Sequence, residues 1–361
     1  MIDRIRQVIK NPKRVIYRYK EKISHRLNEE SLMDDSVRYF PSNQEGIKIF
    51  FVASKYDYGD ETRGLSFEEN NFLYSMIQSG YEVIAFDPLF TMKRYGKKMM
   101  NRILIESVYR WNPDIVLFVL FKDEIECDTL IEIKDRMRIK TLNWFCDDHW
   151  RFDNFSRYYA PYFSYVVTTY RKALEKYKEL GCEKVMLSQW ACNHFLYKRL
   201  NLPYKYDVSF IGQPHGDRPK IIKALKNAGI KVETFGFGWP KGRVGTYEMI
   251  KIFNQTKINL NLSNASRGQV NQMKGRDFEI PGCGGFMIRG NSEDLSDYFS
   301  VGEEVVTYND ITDLVEKIKY YLKHDNEREI IKEKGYLRVL NEHTYTKHFS
   351  RIFEIVLNKS G

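Results

Sequence analysis

This chain of 361 residues has little of what marks several protein classes. It has five cysteines, Cys127, Cys146, Cys182, Cys192 and Cys283, an odd number with no C-x-x-C pair. That argues against a disulfide scaffold and against a cysteine zinc site, and suits free thiols in a reducing cytoplasm. No apolar run approaches the ~20 residues that a spanning helix needs, and no secretory signal peptide is apparent. Zinc-finger spacing and the aromatic-basic signature of RNA-binding sheets are both missing, so nucleic acid is not the expected partner. Short repeats and low-complexity tracts are absent as well. The expectation is a cytoplasmic globular protein of about two domains.

Acidic charge is in deficit. The formal net charge is +9, which favours anionic partners such as phosphorylated small molecules or acidic membrane surfaces. Residues 1–26 concentrate it, with nine Lys or Arg against Asp3 and Glu21. Ile2, Ile5, Val8 and Ile9 fall at helical spacing there. A basic amphipathic helix suits peripheral contact with an anionic membrane. A solvated helix packed on the body of the protein gives the same pattern. Residues 1–45 are therefore expected to form a basic N-terminal helical extension.

The next 155 or so residues alternate between apolar runs and amphipathic stretches. Ile47–Ala53 reads as a buried strand. A polar loop follows, then Ser66 as an N-cap with Glu68 and Glu69 in the first turn of a helix to about Ser79, and a strand over 81–86. A basic helix over 92–110, a strand over 113–120, a helix over 124–137 and strands over 140–145, 165–168 and 185–187 continue the pattern. The spacing predicts a parallel-sheet domain over 46–200. The pattern restarts at Tyr206–Gly212 and predicts a second domain over 206–340, leaving 341–361 for a C-terminal helix. The fold class is α/β: two Rossmann-like domains in tandem, with a ligand cleft between them.

One segment of the second domain stands out. Residues 274–288 hold Lys274 and Arg276, Glu279, and four glycines at 275, 282, 284 and 285. Arg276 and Glu279 lie three apart and share a helix face. A helix start there directs free backbone N–H groups toward an anion, with Arg276 on a phosphate oxygen and Glu279 accepting from sugar hydroxyls. A surface ion pair followed by a glycine-rich loop explains the same residues.

Several segments together resemble the GT-B glycosyltransferases, specifically the spore-maturation-protein (CgeB-type) group. They are Asp207–Gly212, Phe235–Trp239, Lys257–Leu262, Gly275–Glu279, Gly284–Phe286 and His343–Tyr345, with Trp144–Asp148 from the first half. The resemblance runs over roughly 46–357. It implies sheets facing a central cleft, a C-terminal helix crossing back to the first domain, and a nucleotide-diphosphate sugar held by the second. In that reading Arg276 meets the diphosphate, Glu279 and Gly284 belong to the donor site, Gly212 and Arg218 border the phosphates, and the turn ending at Trp239 lies near the nucleobase. The acceptor, a glycan, a lipid-linked sugar or a protein, lies against the first domain. No cofactor is implied beyond the sugar nucleotide itself, and no metal. Retaining members often carry a second glutamate eight residues before the ribose-binding one; here that position is Asn271. This permits the alternative of a non-catalytic sugar-nucleotide or glycan-binding protein of spore or envelope assembly. Pro281 makes the Arg276 helix short or kinked.

Glycosyl transfer needs a base for the acceptor hydroxyl. Candidates follow the carboxyl ends of two strands in the first domain: Asp57, Asp60 and Glu68, then Asp147, Asp148 and His149. Turn chemistry explains Asp57, and helix-dipole pairing explains Glu68. Asp147 and Asp148 invite a metal, but spacing supplies no third ligand. His215 is a phosphate contact or a plain loop residue, and Trp239 stacks on a base or simply packs. His343 and His348 read as structural.

Overall fold

The computed structural model describes residues 36–42, 46–262 and 272–357. The basic segment 1–26 and Asn271 lie outside the described residues.

Seven strands build the first sheet: β1 (Val37–Phe40), β2 (Lys48–Val52), β3 (Glu82–Phe86), β4 (Ile115–Phe118), β5 (Lys140–Phe145), β6 (Tyr165–Thr168) and β7 (Val185–Leu187). Their order is β1-β3-β2-β4-β5-β6-β7, parallel throughout except that β1 runs antiparallel to β3. Within the expected helical extension 1–45, Val37–Phe40 is a strand that pairs with β3, and residues 1–35 lie outside the described residues. A four-residue edge strand is too short to show a period of its own.

Within β2 the run Ile49–Val52 is apolar at consecutive positions because both faces of the sheet are covered. Phe50 and Val52 join one core with Ile84, Phe86, Val116 and Phe118. Ile49 and Phe51 join the other with Val83, Ala85, Ile115 and Leu117. That second core is closed by the terminal helix Tyr345–Leu357, through Tyr345, Phe349, Ile352, Phe353 and Val356. The C-terminal helix thus crosses back to the first sheet, and Thr346 meets Ser79 at 2.7 Å.

The second sheet has five parallel strands, β8 (Tyr206–Ile211), β9 (Val232–Phe235), β10 (Thr256–Asn261), β11 (Met287–Gly290) and β12 (Val306–Tyr308), in the order β12-β11-β10-β8-β9. Both sheets reverse their winding beside the first parallel strand, between β2 and β4 and between β8 and β10. Ligands of open α/β sheets bind at the carboxyl ends of such neighbours.

Three helical details differ from the sequence expectation. The stretch 92–110 is two helices, Pro88–Tyr95 and Lys97–Trp111, which meet at Gly96. Asp87 caps the first by accepting from the N–H groups of Leu89 and Phe90. The long helix Asp325–Glu342 was not anticipated, because its sequence is charged nearly all round. The helix after Ser66 contains a π-turn over Glu69–Leu73, where Asn193 donates its side-chain amide to the Asn70 carbonyl at 2.6 Å. Single π-turns inside helices recur at functional sites.

Candidate functional site

The carboxyl ends of the two sheets face each other. Asp57, in the loop after β2, pairs with Arg63 of its own loop at 3.1 Å and with Arg243 of the second domain at 3.4 Å. The Phe67 ring lies against Gly275, where a Cβ would come within 2.9 Å of it. Arg171 and Lys172 reach Asp297 and Glu293 across the junction.

On the second-domain side the site is built on the short helix Arg276–Gly282, which Pro281 helps to end. Arg276 is ion-paired to Glu279. This is no surface pair, because the Glu279 side chain is 0% exposed and that of Arg276 33%. One oxygen of Glu279, Oε1, makes no well-formed hydrogen bond, and the Tyr197 hydroxyl lies beside this carboxylate. A buried carboxylate oxygen left open is costly unless something fills it.

The approach to this helix is held by a buried ionic network. Asp277 accepts from the Lys274 N–H at 2.7 Å and from the Asn261 amide at 2.6 Å. Arg289, at the end of β11, pairs with it at 3.1 Å, and both side chains are fully buried. β10, β11 and the helix start are thereby tied at one point, which places Lys274 and Arg276 over the cleft. Neither Asp277 nor Arg289 was singled out from sequence. An Asp next to an Arg in a charged segment carries no signal of burial.

Arg218 opens the helix Arg218–Asn227. Its guanidinium donates to the carbonyls of Leu262 and Gln213 at 2.9 and 3.0 Å. Burial pushes it down to about 10, with the Arg276 charge acting in the same direction, so it remains a cation at neutral pH. His215 is pushed down by burial and by the charges of Arg218 and Lys274. His149, from the first domain, is driven to about 4 by burial and then by Lys274, against Asp147. Two histidines on opposite sides of the cleft thus feel the same lysine. Both rings are neutral at pH 7, and the net field between them favours an anion.

Gly212 lies under this loop, where a Cβ would strike the Phe210 ring at 2.8 Å. Its carbonyl accepts the Trp239 indole N–H at 2.7 Å. Trp239 packs edge-on against Phe210 and is half-buried. The exposed ring of that turn is Phe237, 75% accessible. It is held out between Gly236 and Gly238, whose positive φ angles of 133° and 94° few other residues adopt. Gly284 also departs from its expected role. It ends the Arg276 helix at φ 66°, with Arg199 Nε 2.5 Å from where a Cβ would sit. This end of the helix faces away from Arg276, so Gly284 is a helix terminator and a packing contact.

On the first-domain side, Glu68 is half-buried in the first turn after Ser66. Burial raises its carboxyl above the ordinary range, and the charges of Asp57 and Asp147 add to this. Asp57 itself is committed to Arg63 and Arg243. Asp148 points inward, 2% exposed, accepting from Thr168 at 2.6 Å and Tyr177 at 2.8 Å. Both bonds fall on Oδ2, and Oδ1 makes no well-formed hydrogen bond. His149 keeps Nε2 without a partner. Among the described residues no three His, Cys, Asp or Glu side chains are grouped to hold a metal ion.

A glycosyltransferase of Rickettsia africae ESF-5 superposes on 88% of this chain and 100% of its own, with a TM-score of 0.63 at 12% identity. Anabaena HepE in complex with UDP and glucose covers 86% of this chain and 99% of its own, with a TM-score of 0.59 at 11% identity. The fold is GT-B. Within this GT-B chain, residues 218–354 match the family described as glycosyl transferase-like. They include Arg218, Arg276 and Glu279 and end in the helix that crosses back. The spore protein CgeB of Bacillus subtilis (strain 168) is 22% identical over 250 residues, 62% of this chain and 76% of that protein. The GT-B chain thus resembles this CgeB protein in sequence. Among the described residues no helix is long and apolar enough to cross a membrane.

Proposed function

We propose that this protein transfers a sugar from a nucleotide-diphosphate sugar to an acceptor hydroxyl, with the donor held by the second domain. The reading rests on one observation above all: the Oε1 of a fully buried Glu279, without a well-formed hydrogen bond, in the Arg276 helix that packs on β10 and β11. A ribose hydroxyl donates to that oxygen. Arg276, Arg218 and Lys274 surround the diphosphate, and Phe237 supports the base. The acceptor oxygen forms its bond to the anomeric carbon as the bond to the diphosphate breaks. Glu68, whose raised carboxyl suits a base working near neutral pH, takes the acceptor proton. The three cations stabilise the charge that develops on the leaving diphosphate, the part a divalent metal plays in other transferases. HepE, of the same fold, has been seen with UDP-glucose, which makes UDP the first nucleotide to try.

The test is thermal unfolding of the full chain with a panel of nucleoside diphosphates and sugar nucleotides, with EDTA present. A ligand at 100 times its Kd stabilises by about 2.7 kcal/mol, an easily measured shift. At least one nucleotide should produce it, and Arg276→Ala should remove it. No shift across the panel would refute the reading. Binding without release of nucleoside diphosphate in any acceptor extract would instead support the binding-protein alternative.

A further inference from the structure

Tyr58 sits in the loop after β2 with φ 57° and ψ 22°. For a bulky aromatic residue this left-handed conformation is strained, and glycine or asparagine would fill it at less cost. The ring is nevertheless 63% exposed. No packing in a core accounts for it.

The surrounding structure holds the ring in place. The loop is closed by the Asp57 N–H to the Gly64 carbonyl at 3.0 Å and the Ser66 N–H to the Lys55 carbonyl at 2.8 Å. Arg63 lies over the Tyr58 ring at 4.4 Å and is itself fixed by Asp57. Phe121, in the loop after β4, meets the ring edge-on at 5.4 Å. That loop is braced in turn. The Phe121 N–H donates to Glu124 at 2.8 Å, and its carbonyl accepts from Arg151 at 2.8 Å. Tyr58 therefore joins the loops of the two strands that flank the winding reversal of the first sheet, the crevice where such sheets take ligands. The Asp57 beside it reaches both Arg243 and the neighbourhood of Glu68.

An exposed, strained and braced aromatic ring in a ligand crevice is a binding platform; strain of this kind persists where function selects it. We infer that Tyr58, steadied by Phe121 and Arg63, is the acceptor platform, and that it recognises the C–H face of a pyranose ring. The acceptor is then a saccharide, which names the acceptor class within the function proposed above and rests on that reading for its role in transfer. With Arg63 over one face of the ring, the opposite face suits a sugar, with apolar C–H bonds on one side and hydroxyls at its rim. A polyprenyl chain would require an apolar groove instead.

The experiment is saturation-transfer NMR on the full chain with cellobiose, maltose, chitobiose and lactose, run beside the UDP thermal shift on the same samples. At least one disaccharide should receive saturation on its ring C–H protons. Tyr58→Gly should cut this about fivefold, the loss of one aromatic contact, while Tyr58→Phe retains it. Tyr58→Gly should also leave Tm equal or higher, because it relieves the backbone strain. Arg276→Ala should not affect the saccharide signal. Transfer to none of the four, or transfer that survives Tyr58→Gly, overturns the platform even where UDP still binds. Saccharide binding that depends on Tyr58 with no nucleotide binding would instead refute the transferase and keep the platform.

Discussion

The buried pair of Asp277 and Arg289 gives the sharpest prediction, because neither side chain has contact with solvent. In Asp277→Ala the Arg289 charge loses its carboxylate, and the Lys274 N–H and the Asn261 amide lose their acceptor. Breaking a buried pair from one side costs about 3–5 kcal/mol. At about 2–4 °C per kcal/mol for a domain of this size, Tm should fall by between about 6 and about 20 °C. Replacing both partners by apolar groups of similar volume, Asp277→Leu with Arg289→Met, removes the stranded charge and should recover most of that loss. The assay is calorimetry or circular dichroism on the three proteins at neutral pH. The double variant should refold yet still bind nucleotide more weakly than wild type, since the start of the Arg276 helix has lost its tie to β10 and β11. A fall of less than about 3 °C in Asp277→Ala, or a double variant no better than the single one, would refute the energetic argument.

Two further outcomes follow from the site. If Glu68 is the base, transfer should fall as pH drops through its raised pKa, above the ordinary carboxylate range of about 4.3, and Glu68→Gln should abolish both activity and this limb of the profile. The stability sign is the reverse. A carboxyl raised in the folded state contributes stability below its unfolded pKa and loses it as pH rises through the folded one, so Glu68→Gln should be neutral or stabilising at pH 7; a clear loss of Tm there would count against the raised carboxyl. Gly284→Ala should destabilise by roughly 1–3 kcal/mol through its left-handed backbone and the Arg199 contact, yet leave nucleotide affinity intact; a large affinity loss in a folded variant would return Gly284 to the donor site.

Much of the architecture was legible in the order of residues. Strands buried on both faces must be apolar at consecutive positions, and β5 and β6 fell where that pattern put them. The terminal helix was legible in the spacing of Tyr345, Phe349, Ile352, Phe353 and Val356, all of which are buried, while its crossing to the first sheet came from the packing. The sequence also determined that Arg276 and Glu279 share one face at a helix start, because a spacing of three is a local property.

What the tertiary structure decided was the direction each side chain faces. Asp147 and Asp148 are neighbours in sequence, yet Asp148 turns into the domain to meet Thr168 and Tyr177. Trp239 and Phe237 stand two apart in one turn, yet the tryptophan packs inward on Phe210 and the phenylalanine faces out. Gly284 was expected in the donor site, and the length of the helix sets it beside Arg199. The pairing of Asp277 with Arg289 joins a helix start to the end of a separate strand. Such contacts depend on packing between segments distant in sequence, and no local period records them. Sequence determined the elements and the charges this protein carries; the packing of two sheets against each other decided which charges are buried, paired or left open to a ligand.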